Sequence, residues 1–341
     1  MRKCKLENIY TLLGEISKNA KLYIPVDQVN GAKFTEYAEG LTLSNALKTE
    51  RSIKDFFFPQ TENLVDFKVS GKTIEIIDNR SEMEDFVIFG ARACDVRSME
   101  ILDRVFLSEP VDTYYANRRA HGIIVSMACN RPAETCFCGT FGIDASKPAG
   151  DIVCYKGENE YVFEGVTEKG KNLLEKLNDV TENGGEDTAK IVQTEIKTIL
   201  DKLPLKDVKA DKFGKDKTDK FFNAPEWKTL SEACLGCGTC TFVCPTCQCY
   251  DIKDFNTNSG VKRFRCWDSC MYSDFTKMSA GQPRPTQLER FRQRFMHKLV
   301  YYPTNNDGIF GCVGCGRCLS RCPISMNIVK VMKKLGEGDN E

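Results

Sequence analysis

Apolar residues recur along the first half of the chain in short runs bounded by polar residues and glycine. KLYIPV, KTIEIID, DFVIFG and GIIVSM each read as a short buried strand. DVRSMEILDRVF follows DFVIFGARAC and carries a helical rhythm. A strand, a tight turn and a helix make half of a βαβ unit. DIVCYK and EYVFEG read as a hairpin around Gly157. Residues 167–222 change character: they are charged and hold no cysteine. KNLLEKL and IVQTEIKTILDKL suit helices, whereas NGGEDT and KADKFGKDKTDK suit exposed loop or linker.

These patterns divide the chain into an amino-terminal α/β domain, 1–226, whose stretch 167–222 is linker-like, and a carboxyl-terminal module, 227–335, with a tail at 336–341. A length of 341 residues, 41% hydrophobic and 28% charged, suits about two domains. Lys+Arg and Asp+Glu are 48 each, so the charge cancels, and the strongly basic footprint of a nucleic-acid binder is absent. The start, MRKCKLENIYTLLGEISKNA, lacks the apolar core and cleavage site of a signal peptide. No apolar run approaches the roughly 20 residues of a membrane span. A cytoplasmic protein is expected, with neither nucleic acid nor membrane as partner. No G-x-G-x-x-G follows a strand and no G-x-x-x-x-G-K-[ST] loop occurs, so no flavin or nicotinamide site is expected in this chain.

The cysteines alter this picture. There are 18, and 12 lie between Cys234 and Cys322. In a reducing compartment such density points to metal or redox chemistry. Cys234, Cys237, Cys240 and Cys244 follow C-x2-C-x2-C-x3-C, and Pro245 comes next; Cys312, Cys315, Cys318, Cys322 and Pro323 repeat it. This is the signature of bacterial two-cluster ferredoxins, in which the fourth cysteine of each run ligates the other cluster. One 4Fe–4S cluster is therefore assigned to Cys234, Cys237, Cys240 and Cys322, and a second to Cys312, Cys315, Cys318 and Cys244. Gly236, Gly238, Gly314 and Gly316 permit unusual backbone angles and bare N–H groups towards the sulfurs. Zinc fits poorly, since its four ligands usually come from two separated pairs.

The first cysteines of the two runs are 78 residues apart, so the ferredoxin-like helical module carries a long insert, 246–311. The insert holds Cys247, Cys249, Cys266 and Cys270, which leave open a further metal site. It also holds PRPTQLERFRQRFMHKLVYY. Thr286 and Glu289 form a capping box, and Leu288, Phe291, Phe295 and Leu299 share one helix face. Arg290, Arg294, His297 and Lys298 make the other face, expected to be solvated. The alternative is a cationic surface that offsets cluster charge or docks a partner.

In the amino-terminal half, Cys94 follows one predicted strand and Cys129 another, near the carboxyl ends where open α/β sheets bind ligands. Cys136 and Cys138 follow in ETCFCGT. Together the four suit a third 4Fe–4S cluster; equally, Cys94 and Cys129 suit buried apolar thiols. Cys4, in a terminal segment expected to be mobile, and Cys154 read as structural.

FFPQTE, GARACD, LDRVF, TCFC, CLGCGTCTFVCPTCQCYDI, WDSC, RFRQRFMHK and CVGCGRC stand in an order that resembles the iron–sulfur beta subunits of cytoplasmic sulfhydrogenases and the A subunits of anaerobic sulfite reductases. The resemblance covers almost the whole chain. It implies an electron-transfer subunit of an anaerobic oxidoreductase complex. Such a subunit sits between a flavoprotein subunit, which takes electrons from NAD(P)H through FAD, and a catalytic subunit of hydrogenase, sulfite reductase or heterodisulfide reductase type; a ferredoxin is a further candidate partner. It also favours the third cluster at Cys94, Cys129, Cys136 and Cys138, and it matches Cys247, Cys249 and Cys270 but not Cys266. No catalytic residue is then required. The competing reading is a redox enzyme with its own sulfur or disulfide site near Cys247, Cys249 and Cys270. An iron–sulfur regulator that binds nucleic acid is disfavoured by the zero net charge.

Overall fold

Consecutive residues of the segment Phe86–Ala91 point into two different cores, and this sets the architecture of the amino-terminal half. Val87 and Phe89 join Leu22, Ile24 and Val125 under the helices Ile9–Ser17 and Glu168–Glu175. Phe86 and Ile88 join Phe57, Met99 and Leu102 beneath the helix Ala93–Phe106. Side chains alternate across a strand, so a strand covered on both faces reads as one unbroken apolar run. The computed structural model describes residues 1–46 and 48–337. Residues 338–341 of the expected tail lie outside the described residues.

The strands are β1 (Arg2–Lys5), β2 (Lys21–Gln28), β3 (Gly31–Glu36), β4 (Thr61–Ser70), β5 (Thr73–Asp78), β6 (Phe86–Ala91), β7 (Gly122–Met127), β8 (Ile152–Lys156), β9 (Glu160–Gly165), β10 (Glu182–Asn183), β11 (Tyr250–Thr257) and β12 (Gly260–Trp267). Eight form one sheet in the order β10-β1-β9-β8-β7-β6-β2-β3. Its centre, β8-β7-β6-β2, is parallel and its flanks are antiparallel. The carboxyl ends of β6 and β7 lie side by side, with Ala91 paired to Ser126.

A second, antiparallel sheet of order β11-β12-β4-β5 joins distant parts of the chain. KTIEIID belongs here as β5 rather than to the buried sheet, and Ile74 and Ile76 are exposed. The insert is not a separate appendage, because its β12 pairs with β4 of the amino-terminal half. The base of this ribbon is anchored by Trp267, which stacks on Phe58 and donates its indole N–H to the Phe58 carbonyl at 3.1 Å. Arg265 is buried beside it and donates to Glu62 at 2.7 Å, and Glu62 also accepts from Arg118 at 2.6 Å.

The charged stretch 167–222 is not a free linker. Leu173, Leu174 and Leu177 pack on the large sheet, and the helix Glu186–Leu200 buries Ala189, Val192 and Ile196 against β8 and β9. Val208, Ala210, Phe213 and Phe221 pack instead into the carboxyl-terminal helical core, with Trp227, Phe291, Phe295 and Leu299. The packing thus changes sides shortly after residue 200, where the polar positions had masked a helical apolar stripe. Cys4 and Cys154 are buried neighbours in the large sheet, so Cys4 is held in β1 rather than mobile. Among the described residues no helix is long and apolar enough to cross a membrane.

Candidate iron–sulfur centres

The two repeated runs adopt matching backbones. Gly236 and Gly238 have φ of 67° and 71°, and their counterparts Gly314 and Gly316 have 59° and 72°. Each run then enters a short helix, Thr239–Phe242 or Arg317–Arg321, and the two helices pack together. Cys234, Cys237, Cys240 and Cys322 line one cavity of about 30 Å³, whose other walls include Met271, Phe291 and Phe295. The fourth thiol comes from the opposite run. Cys237 is exposed, so this site lies at the surface.

The other set, Cys312, Cys315, Cys318 and Cys244, lies deeper. Cys244 faces each of the other three. The Gly314 N–H points at the Cys312 sulfur at 3.5 Å, the kind of amide that steadies a cluster sulfur. Burial pushes the Cys318 thiol up to about 12. A thiolate is the form that binds metal, so such a site needs compensating positive charge.

That charge comes from the insert helix, Gln287–Met296, which begins at the expected capping box of Thr286 and Glu289. Phe291, Phe295 and Leu299 are buried, and Leu288 packs partly against the same core. The opposite face is not the solvated one expected. Arg294 is 3% exposed and Lys298 5%, while Arg290 and His297 are half-buried. Arg294 faces Cys240 of one set and Cys318 of the other. Lys298 lies in a π-helical turn, His297–Tyr301, and faces Cys244 and Cys312. Its ammonium donates to the Thr246 hydroxyl at 2.8 Å and the Gly311 carbonyl at 3.1 Å. The helix is enclosed on both sides, by an apolar core and by the cysteine loops. An amphipathic pattern alone cannot distinguish that from a solvated face.

Cys94, Cys129, Cys136 and Cys138 line a second cavity of about 30 Å³. Cys94 sits in the first turn of the helix after β6, one residue beyond the turn expected for it. Cys129 lies just past β7, and Cys136 and Cys138 come from the loop that follows. Burial raises Cys129 to about 11 and Cys138 to about 12. Cys315 lines the same cavity, so this group and the deeper ferredoxin set share a wall. The join is tight. Phe137 N–H donates to the Gly314 carbonyl at 2.9 Å, and a Cβ on Gly316 would lie 2.2 Å from the Thr135 carbonyl oxygen. Arg317, only 1% exposed, crosses the join to Asp95 at 2.6 Å.

The donor chemistry fits cubane clusters. Two cavities of equal size are ringed by thiols, four in the first and five, with Cys315, in the second. All eighteen cysteines are free of disulfides. Among the described residues no three Cys, His, Asp or Glu side chains converge tightly enough to hold a single metal ion, as zinc would require.

The remaining cysteines divide. The Cys247 N–H donates to the Cys244 carbonyl at 3.4 Å, and Cys249 faces Cys270. Cys266 is apart from them: it lies in β12 between Thr61 and Asp251, and its strand neighbours Arg265 and Trp267 point to the opposite face. Sequence reasoning missed Lys54, Asp95 and Arg317. Lys54 is 2% exposed, lies 3.4 Å from the Trp267 ring centre and donates to the Cys247 carbonyl at 3.0 Å. For Arg317 the position inside CGRC was the one available signal.

A family model described as a 4Fe-4S dicluster domain matches residues 233–326, which contain both repeated runs. Sulfhydrogenase 2 subunit beta of Pyrococcus furiosus is 32% identical over 350 aligned positions, covering 99% of each chain. At that identity over nearly the full length of both proteins, the chain belongs to the family of sulfhydrogenase beta subunits.

Proposed function

We propose that the chain is the iron–sulfur electron-transfer subunit of a multisubunit oxidoreductase, holding three 4Fe–4S centres in a row. A cube, when bound, supplies one-electron chemistry over a wide range of potential. The two ferredoxin-type centres follow from the dicluster domain. Cys234, Cys237, Cys240 and Cys322 would hold the outer one; Cys312, Cys315, Cys318 and Cys244 the middle one. Cys94, Cys129, Cys136 and Cys138 would hold the third.

The observation that carries the reading is the shared position of Cys315. It belongs to the middle set, yet it lines the third cavity and faces Cys94. On the other side, Cys318 faces Cys240 of the outer set. The protein thus joins its thiol groups end to end, from the exposed Cys237 to the carboxyl edge of the large sheet. Arg294 offsets negative charge at the first junction. At the second, the Arg317–Asp95 pair is neutral overall and fixes the distance. Met271, Phe291 and Phe295 give the outer set an apolar wall on one side.

Since cubes exchange single electrons and nicotinamides deliver hydride, a flavoprotein partner is needed to split electron pairs. A catalytic subunit, of hydrogenase type by likeness to the relative, would stand at the other end. The test is anaerobic purification from native cells with every co-purifying subunit identified. A flavoprotein and a catalytic subunit in fixed ratio support the reading. A chain that comes alone and is active alone overturns it.

A further inference from the structure

Four cysteines of the insert line neither cavity and belong to none of the three sets: Cys247, Cys249, Cys266 and Cys270. Cys247 leans on Cys244. Cys249 and Cys270 face one another at the base of the ribbon. Cys249 immediately precedes β11 and Cys270 follows β12, and the register places Tyr250 opposite Trp267. The Asp268 N–H donates to the Cys249 carbonyl at 3.0 Å, which holds the two segments together beyond the strand ends. The two thiols are electrostatic neighbours across the base of the ribbon. Both are thiols here; Cys270 is buried and Cys249 half-buried.

The surroundings suit redox chemistry. Arg294 and Lys298, which face the ferredoxin-type sets, also face Cys270. Cys270 in turn faces Cys240, a ligand of the outer set. A dithiol–disulfide couple moves two electrons, whereas each cube moves one.

We propose that Cys249 and Cys270 form a redox-active dithiol that stores an electron pair beside the two ferredoxin-type centres. The proposal rests on the reading that Cys240 and Cys244 hold such centres. On oxidation both S–H bonds break and one S–S bond forms. Two protons leave to solvent. Two electrons pass singly to the oxidised iron–sulfur centres held through Cys240 and Cys244, reducing each by one. The reverse step cleaves the disulfide with two electrons and two protons. The backbone contacts already hold the segments together, so bond formation needs no unpairing of β11 from β12.

The test uses the full chain, purified anaerobically with its iron. One sample is reduced with dithionite and another oxidised with thionine. Thiols are capped with iodoacetamide and peptides mapped by mass spectrometry. A Cys249–Cys270 linked peptide in the oxidised sample alone is expected. Reductive titration of the oxidised chain should take up two more electrons than that of Cys249→Ala. Capping of both cysteines as free thiols in both samples overturns the dithiol, as does loss of iron in Cys249→Ala or Cys270→Ala, which would make them cluster ligands. Disulfide mapping of the unaltered chain needs no variant to fold. Ferredoxin-type paramagnetic signals in the reduced sample keep the electron-transfer reading intact if the dithiol fails; their absence overturns both.

Discussion

The guanidinium of Arg317 meets the carboxylate of Asp95 through two hydrogen bonds, of 2.6 and 3.2 Å, with both side chains almost fully buried. Arg317 comes from the second cysteine run and Asp95 from the residue after Cys94, so one ion pair pins the middle thiol group to the third. Arg317 also donates to the Thr49 carbonyl at 3.0 Å. Removing one partner of a buried pair leaves an uncompensated charge and costs about 3–5 kcal/mol. Asp95→Ala should therefore destabilise the chain by that amount in denaturant unfolding. An unchanged midpoint would mean that water reaches Arg317.

Arg294 is a buried cation that faces sulfurs of both ferredoxin-type sets. A positive charge near a centre favours its reduced, more negative state. Replacing Arg294 with Leu should lower both reduction potentials, by on the order of 100 mV for unit charges several ångströms apart in a partly screened interior. Redox titration followed by electron paramagnetic resonance measures this. Potentials that stay in place would show that the charge is screened.

The proposed third centre can be tested apart from the other two through the cysteines that would hold it. In a chain with Cys136→Ser and Cys138→Ser, iron and sulfide should fall by about a third, as one cube of three is lost. The ferredoxin-pair signals should persist. Full iron content would leave Cys94, Cys129, Cys136 and Cys138 as buried thiols.

Gly316 has φ of 72°, and an added Cβ would lie 2.2 Å from the Thr135 carbonyl oxygen. Neither partner is a flexible side-chain end. Gly316→Ala should force the second run away from the 135–138 loop, beyond the roughly 1–2 kcal/mol cost of the left-handed conformation alone. Iron loss and faster proteolysis at that join are the expected readouts. Gly139→Ala, where an added Cβ meets nothing within 4 Å, is the control.

The thiols of Cys4 and Cys154 are both raised, mainly by burial, and Cys4 moves from 9.0 to about 11. A folded value above the unfolded one means that the native state keeps its proton longer. The contribution of Cys4 is fully present below pH 9 and is lost as pH rises towards about 11. Unfolding midpoints should fall across that window and fall less in Cys4→Ala. An identical decline in the variant would assign the alkaline loss to other groups.

Spacing alone carried the ferredoxin pair. C-x2-C-x2-C-x3-C-P is a local motif in which three ligands of one cube sit within seven residues, so its geometry is encoded by the short run itself. The strands β6 and β7 were equally legible, because a strand buried on both faces has no polar positions to confuse the pattern. The capping box at Thr286 and Glu289 is likewise a local hydrogen-bond exchange.

Distances between remote segments were decided only by the tertiary structure. β5 is as apolar in sequence as a core strand, yet it lies in the exposed ribbon, since burial depends on what packs against a strand. Arg294, Lys298 and Arg317 look like surface cations; Arg294 and Lys298 are interior because they face the cysteine loops, and Arg317 because it pairs with the Asp95 carboxylate. Cys266 and Cys270 are four residues apart, but a strand and a following loop send them to different places. The pairing of Cys249 with Cys270 arises from the register of β11 on β12. Local chemistry determined which residues could hold a cube. Long-range packing determined which groups stand next to one another, because neighbourhood in space follows from cores and sheets that no single stretch of sequence contains.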